Sequence, residues 1–368
     1  LKIAYLAARQ SVHTVRWVNA LAQRGYTIYL ITLHDGGEPL DDRIAVFKLP
    51  IPAPPGYLLN APFLKPLLQR LHPDILHVHY ASGYGTLGRL SQFQPLLLSV
   101  WGSDVFDFPA QSRWHRAWLV KNLQAAKLIC STSQVMAEVT RALLASDAFN
   151  PAPRLTVIPF GIDTTVFYPR PELRNPTLFK IGTVKTLAPK YGIDTLIHAF
   201  HQVRLKLLTT QPELANQLRL CIAGGGPQRV ALQNLVNQLE LTTVTELAGE
   251  LPHSQVPNYL NQLEIYVAAS RLESFGVAIL EASACGLPVV VSRVGGLPEV
   301  VRENVTGLLV EKDNVAQFTQ ALLTLIQHPR LRHTMGAAGI QWVKQQYDWQ
   351  KNVTALERIY DLVAMKSG

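Results

Sequence analysis

The chain has 368 residues, 48% of them hydrophobic, and no uninterrupted apolar run approaches the roughly 18 to 20 residues of a membrane span, so a folded two-domain protein is the default and a spanning one is excluded. With 34 basic against 26 acidic residues the formal charge is +8. That excess points to polyanionic partners, whether nucleotides, phosphates or anionic membrane surfaces, without choosing among them.

Cys130, Cys221 and Cys285 are odd in number, widely spaced and set in apolar surroundings, which reads as buried free thiols in a reducing compartment. No charged n-region with a long apolar stretch precedes "LKIAYLAA". The expected localisation is cytoplasmic, at most peripheral to the inner face of a membrane.

In chain order, "KIAYLAA" reads as a buried strand, "TVRWVNALAQRG" as an amphipathic helix closed by Gly25, and "YTIYLITL" as a second strand. "DILHVHY", "PLLLSVWG" and "KLICSTS" continue the strands, and "SQVMAEVTRALLAS" is a helix capped near Ser133. Strands alternating with helices predict an α/β chain with a parallel, doubly wound sheet. The pattern loosens across Arg154 to Pro176, then restarts with "LFKIGTV", "LRLCIAGGG", "TVTELAG", "IYVAAS" and "LPVVVS". Two Rossmann-like domains are therefore expected, one over 1–165 completed by a terminal helix at 347–368, and a second over 166–346.

"SRLESFGVAILEASACGLPVVVS" places Glu273 and Glu281 eight positions apart. If a helix begins just after Glu273, the two acids lie about two turns, roughly 12 Å, apart, close to the span of a nucleotide sugar from sugar ring to ribose. Between them Ser274, Phe275, Gly276 and Val277 offer backbone N–H groups at a helix N-terminus, a ready site for a diphosphate. An isolated pair of glutamates is more often a solvated helix face; here the neighbours argue otherwise.

The stretch resembles the EX7E motif of the retaining glycosyltransferases of family 4 (glycosyl transferases group 1), which have the GT-B fold. "IPFGIDTTVFYP", "AGGGPQ" and "LESFGVAILEASACGLPVVVSRVGGLPEVVRENVTGLLV" carry the likeness over most of the chain. It implies two Rossmann-like domains facing across a cleft, 1–165 with the helix 347–368 on the acceptor side and 166–346 binding the nucleotide sugar. It also implies that Glu281 binds the ribose of a nucleotide sugar and Glu273 the transferred sugar, with Phe275, Gly276 and Val277 on the diphosphate through their backbone. Lys185 and Lys190 match the basic pair with which the family neutralises that diphosphate, although as residues alone they could be ordinary loop lysines. Gly225 and Gly226, after Gly224 at the carboxyl end of a strand, lie where nucleotides bind in such sheets. "GELPHSQVPNYL" resembles the nucleobase loop, with the backbone near Leu251 facing the base.

The chain departs from the family in "LSVWGSDVFDFP", where Trp101 stands in place of a histidine before Gly102, Ser103 and Asp104. An indole cannot accept a proton. Any catalytic role of that histidine passes to Asp104, to His79 of "HVHYASGYG" or to a backbone carbonyl, or is dispensable because the departing phosphate takes the acceptor's proton. In "ARQSVHTVRW", Ser11 and His13 either cap the first helix or line the acceptor site. In 111–127, Trp114 and Trp118 share a helix face among Arg113, Arg116 and Lys121, which suits peripheral contact with a membrane or lipid-linked acceptor unless both rings pack internally.

The resulting expectation is a retaining, metal-independent glycosyltransferase moving a sugar from a nucleotide sugar, UDP-linked, to a glycan or lipid-linked saccharide. No cofactor is expected, since no Asp-X-Asp triplet occurs, and nucleic acid is not among the expected partners. The alternatives are a UDP-sugar 2-epimerase of the same fold and a non-catalytic sugar-nucleotide-binding subunit.

Overall fold

Runs such as Ile75–His79, Leu96–Val100 and Val289–Ser292 are buried at every position, the pattern of strands covered on both faces by helices. A computed structural model describes residues 1–145 and 153–364. Its strands are β1 Lys2–Leu6, β2 Thr27–Thr32, β3 Ala45–Lys48, β4 Ile75–His79, β5 Leu96–Val100, β6 Leu128–Ser131, β7 Arg154–Val157, β8 Phe179–Val184, β9 Leu218–Ala223, β10 Thr245–Gly249, β11 Ile265–Ala268, β12 Val289–Ser292 and β13 Gly307–Val310.

Among the described residues these form a seven-stranded sheet ordered β3-β2-β1-β4-β5-β6-β7 and a six-stranded sheet ordered β10-β9-β8-β11-β12-β13. Every strand pairing in both is parallel. The order reverses between β1 and β4 in one sheet and between β8 and β11 in the other. Such switch points open a crevice at the carboxyl ends of the strands, where ligands of doubly wound sheets bind.

The chain divides into Leu1–Phe160 with Gln350–Gly368, and Gly161–Trp349, a few residues from the boundaries expected at 165 and 346. Each unit has its own core, with Leu6, Ile31, Leu98 and Ile129 in the first and Ile181, Phe200, Leu220 and Phe318 in the second.

The helix Trp349–Ala364 packs on the first unit. Tyr360 is fully buried, its hydroxyl bonding the Tyr5 hydroxyl of β1 and His77 Nδ1 of β4 at 2.8 Å, while His77 Nε2 bonds Ser99 Oγ of β5 at 2.8 Å. Arg24 pairs with Glu357, and Lys127 donates to the Val363 carbonyl at 3.0 Å.

Three strands are absent from the sequence reading. β3 and β7 are edge strands without a clean apolar alternation, and β13 is the four-residue "GLLV". Ser133 Oγ accepts the Met136 amide at 3.2 Å, the cap expected for the helix Gln134–Ala145. The final Ser146 of that expected helix, and 365–368 of the terminal one, lie outside the described residues. All three cysteines are buried and free.

Candidate active site

The loops leaving β8 and β11 bring the expected donor residues together. Lys185 directly follows β8, and its ammonium forms an ion pair with Glu273 from the loop after β11. Burial opposes the lysine's charge, but the Glu273 carboxylate outweighs it and raises the Lys185 pKa above the ordinary value. The same ammonium lies 4.7 Å from the centre of the Tyr191 ring, and Lys190 Nζ is 5.2 Å from that ring. Tyr266, buried on β11, donates to the Val184 carbonyl at 3.3 Å and feels the charges of both Lys185 and Glu281.

Lys190 is exposed on the short turn Pro189–Tyr191. Its carbonyl accepts the amides of Arg271 at 2.7 Å and Leu272 at 3.2 Å. Arg271 itself grips Asp194 and Asp313, each at 2.7 Å, and the Pro189 carbonyl at 2.6 Å. The lysine turn is thereby tied to the segment that carries Glu273.

The glycine loop after β9 supports the other side. A Cβ on Gly224 would stand 1.8 Å from the Lys185 carbonyl oxygen, so only glycine permits this approach. The Gly225 carbonyl accepts the Leu187 amide at 2.8 Å, and Gly226 lies against Leu187. These residues hold the backbone on which Lys185 rides.

The helix carrying Glu281 starts at Val277 and ends at Ala284, a correction to the expectation that it begins just after Glu273. Ser270–Phe275 is loop, with Gly276 in left-handed backbone (φ 103°) at the N-cap. The loop is held from beneath by the turn after β12: Gly296 donates its amide to the Glu273 carbonyl at 3.1 Å. A Cβ on Gly295 would come within 1.9 Å of that same oxygen. Phe275 anchors the loop as a buried ring 5.8 Å from Tyr347. Ile279 and Leu280 make the first intrahelical bonds, so the amides of Val277 and Ala278 open at an N-terminus with no acidic residue in its first turn, a setting that favours an anion. Ser274 is half-buried beside them.

Glu281 is 5% exposed, and its Oε1 lies 3.1 Å from His253 Nε2. His253 sits on the turn His253–Gln255, beyond half-buried Leu251, with its ring 5.7 Å from Phe167. His253, Arg271, Tyr191 and Tyr266 were missed by the sequence reading. His253 and Arg271 stand inside stretches quoted for their neighbours, where the spacing gave no reason to choose them.

The first unit treats its candidates differently. Asp104 is fully buried, and its oxygens accept the amides of Ala81 at 2.8 Å, Trp101 at 3.1 Å and Gly102 at 2.8 Å. It clamps the loops after β4 and β5. Burial raises its pKa while these amides oppose the rise.

His79 is likewise built into the fold, 2% exposed, with Nδ1 3.2 Å from Thr14 Oγ1 and its ring packed by Tyr5, His77 and Trp101. Burial, reinforced by His77 and His13, holds its pKa well below the ordinary histidine value. Trp101 is half-buried with its ring centre 4.4 Å from His79 and 5.6 Å from Phe160. Ser11 caps the helix Val12–Gln23 by accepting the Thr14 amide at 3.5 Å, and His13 stacks on Phe160 at 4.0 Å.

The helix expected over 111–127 spans Arg113–Gln124 behind a Ser112 cap. Trp114 is 86% exposed and Trp118 40%, so the reading that buries both rings is overturned. Trp118 Nε1 donates to Thr86 Oγ1 at 2.7 Å, and Arg89 lies 5.3 Å from its ring centre. Among the described residues, no group of three or more His, Cys, Asp or Glu is placed to hold a metal ion.

Two doubly wound parallel sheets in one chain, the second carrying a pair of acids around a helix N-terminus, are the architecture of the GT-B fold. Sucrose-phosphate synthase from Thermosynechococcus elongatus superposes with a TM-score of 0.85 over 100% of both chains at 22% identity. HepE of Anabaena, solved in complex with UDP-glucose, gives 0.80 over 98% of this chain and 99% of that one at 18% identity.

Residues 167–342 match the family model of glycosyl transferases group 1, and residues 2–133 match that of glycosyl transferase 4-like proteins, so the chain belongs to the group 1 glycosyltransferases. A GDP-mannose-dependent alpha-(1-6)-phosphatidylinositol monomannoside mannosyltransferase of Mycolicibacterium smegmatis is 32% identical over 226 residues. That match spans 57% of this chain and 57% of the relative.

Proposed function

We propose that the chain transfers a hexosyl group, with retention and without a metal ion, from a nucleotide sugar to a glycan or lipid-linked saccharide. The observation that carries this reading is the placement of Glu273 and Glu281 on either side of the Val277 helix N-terminus, each acid held by a basic partner. In this reading Glu281 accepts the ribose hydroxyls, the amides at the helix start bind the diphosphate, and Glu273 holds the sugar. Lys190, exposed and outside any ion pair of the described residues, stabilises the charge that grows on the leaving diphosphate. Lys185 contributes while bound to Glu273.

With His79 and Asp104 both buried, the acceptor's proton passes in this reading to the departing phosphate. The acceptor oxygen bonds to the anomeric carbon, the bond from that carbon to the β-phosphate oxygen breaks, and this oxygen takes the hydroxyl proton on the same face. A UDP-sugar is the favoured donor, supported by the UDP-glucose complex of HepE; the mycobacterial relative's GDP-mannose makes the base the first thing to test.

That test is hydrolysis and transfer over UDP-, GDP- and ADP-sugars with EDTA present, with the anomer of the product read by NMR. Turnover lost in EDTA, or an inverted anomer, overturns the mechanism; turnover of GDP-sugars alone overturns the choice of base.

The exposed indoles of Trp114 and Trp118 beside Arg113, Arg116 and Lys121 support peripheral contact with an anionic bilayer or a lipid-linked acceptor. Among the described residues no helix is long and apolar enough to cross a membrane.

A further inference from the structure

The second unit contains a cavity of about 390 Å³ that the donor site does not use. Glu264 and Pro288, which line it, immediately precede β11 and β12, so it opens at the amino ends of the strands whose carboxyl ends carry the donor residues. Its volume falls in the range of small-molecule sites, about 300 to 1,000 Å³. Four prolines (169, 171, 288 and 329) and Ile340 give it rigid apolar walls.

Its charged lining is unbalanced. Arg174 Nη1 lies 3.5 Å from Glu264 Oε2. Arg332 directs Nη1 to the carbonyls of Leu325 at 2.6 Å and Ile326 at 2.8 Å and lays its guanidinium 4.8 Å from the Phe179 ring centre. Two guanidiniums thus share one carboxylate; Glu172, exposed on the neighbouring turn, does not line the cavity. Burial lowers the Arg332 pKa, with Glu264 opposing and Arg174 reinforcing the shift. Arg174 Nε is buried with no hydrogen-bond partner among the described residues. An excess positive charge beside apolar walls is relieved by an anion bearing an apolar body.

We propose that this cavity binds a small amphipathic anion, with its carboxylate, sulfonate or phosphate on Arg174 and Arg332 and its apolar part against the prolines. The site is separate from the donor site, and the proposal stands whether or not the donor reading holds.

The test is a fluorescence titration of the full chain with 8-anilinonaphthalene-1-sulfonate, an apolar ring system carrying one sulfonate. The expected result is saturable binding at one site per chain, weakened at least tenfold by Arg174→Gln and abolished by Ala337→Trp, which fills the cavity from its exposed rim. Saturating UDP should leave it unchanged, and sodium sulfate should compete. Circular dichroism reports the fold of each variant, and Ala337→Leu carries the test if the tryptophan variant does not fold. Unsaturable binding to the wild type, wild-type affinity in both folded variants, or displacement by UDP overturns the proposal.

Discussion

Lys185 and Glu273 neutralise one another from loops that follow different strands, each side chain only 12% exposed. Replacing Lys185 with alanine leaves a largely buried carboxylate unpaired, which costs about 3 to 5 kcal/mol. Urea denaturation should report that loss for Lys185→Ala and a much smaller one for Lys185→Arg. Because the folded lysine pKa is raised, the pair's contribution is fully present below the ordinary lysine value and disappears only as pH rises through the raised one. Equal stability of the alanine variant and wild type at neutral pH would refute the pairing.

Lys190 should behave in the opposite way. It is exposed, so Lys190→Ala should change stability by no more than about 0.5 kcal/mol. Its loss should lower kcat more than it raises KM, since a charge serving the departing diphosphate acts in the transition state. Near wild-type kcat would remove it from the mechanism.

Glu281→Ala should weaken UDP binding by roughly 1.5 to 3 kcal/mol through the lost charge-assisted acceptor. His253→Ala should weaken it less, because it frees the carboxylate without removing it. Calorimetry with UDP and 2′-deoxy-UDP separates the two effects: the ribose preference should vanish in Glu281→Ala and shrink in His253→Ala. An unchanged preference in Glu281→Ala would refute the ribose assignment.

His77 lies inside the first unit, where burial pushes its pKa down to about 3, and His79 is shifted the same way. Unfolded histidine titrates near 6.5, so between the two values the unfolded chain binds more protons and stability falls as pH falls. Each histidine contributes up to about 1.4 kcal/mol per pH unit in that window. Thermal melts from about pH 7 to about pH 5 should show the decline, and His77→Asn should make it shallower. A pH-independent melting temperature would contradict the buried neutral state.

For the tryptophans, exposure sets the expectation. Trp114→Ala should be nearly neutral to stability, within about 0.5 kcal/mol, and Trp118→Ala should cost about 1 kcal/mol for its bond to Thr86. Both folded variants can then be compared with wild type in co-sedimentation with anionic vesicles. Binding that falls with salt and with the double substitution supports the membrane face; equal binding by both proteins, or none by either, sinks it.

The sheets were legible because their central strands are nearly continuous apolar runs, as in "LLLSV" and "VVVS", whereas exposed edges such as β3 carry no such signal. The candidate donor residues Glu273, Glu281 and the glycines stood out because their stretches resemble the motifs of the family, where spacing alone would have left them a solvated helix face and a tight turn. Asp104 and His79 could not be judged that way. Their surroundings, a carboxylate accepting three backbone amides and an imidazole walled by rings, depend in part on residues distant in sequence, Ala81 for Asp104 and Tyr5 for His79. The partners Lys185–Glu273 and His253–Glu281 stand 88 and 28 positions apart, beyond any local pattern.

The terminal helix bears on how the molecule is made. Tyr5 and His77 emerge early from the ribosome, but Tyr360 arrives only after all of Gly161–Trp349 has been synthesised. The second unit is continuous and can fold as soon as it is released, while the first must wait with the β1 and β4 side chains beneath Tyr360 uncovered. Maturation therefore runs against the direction of translation. A ribosome that stalls within the helix Trp349–Ala364 would leave a finished second unit tethered to an unfinished first one that displays apolar surface to chaperones and proteases.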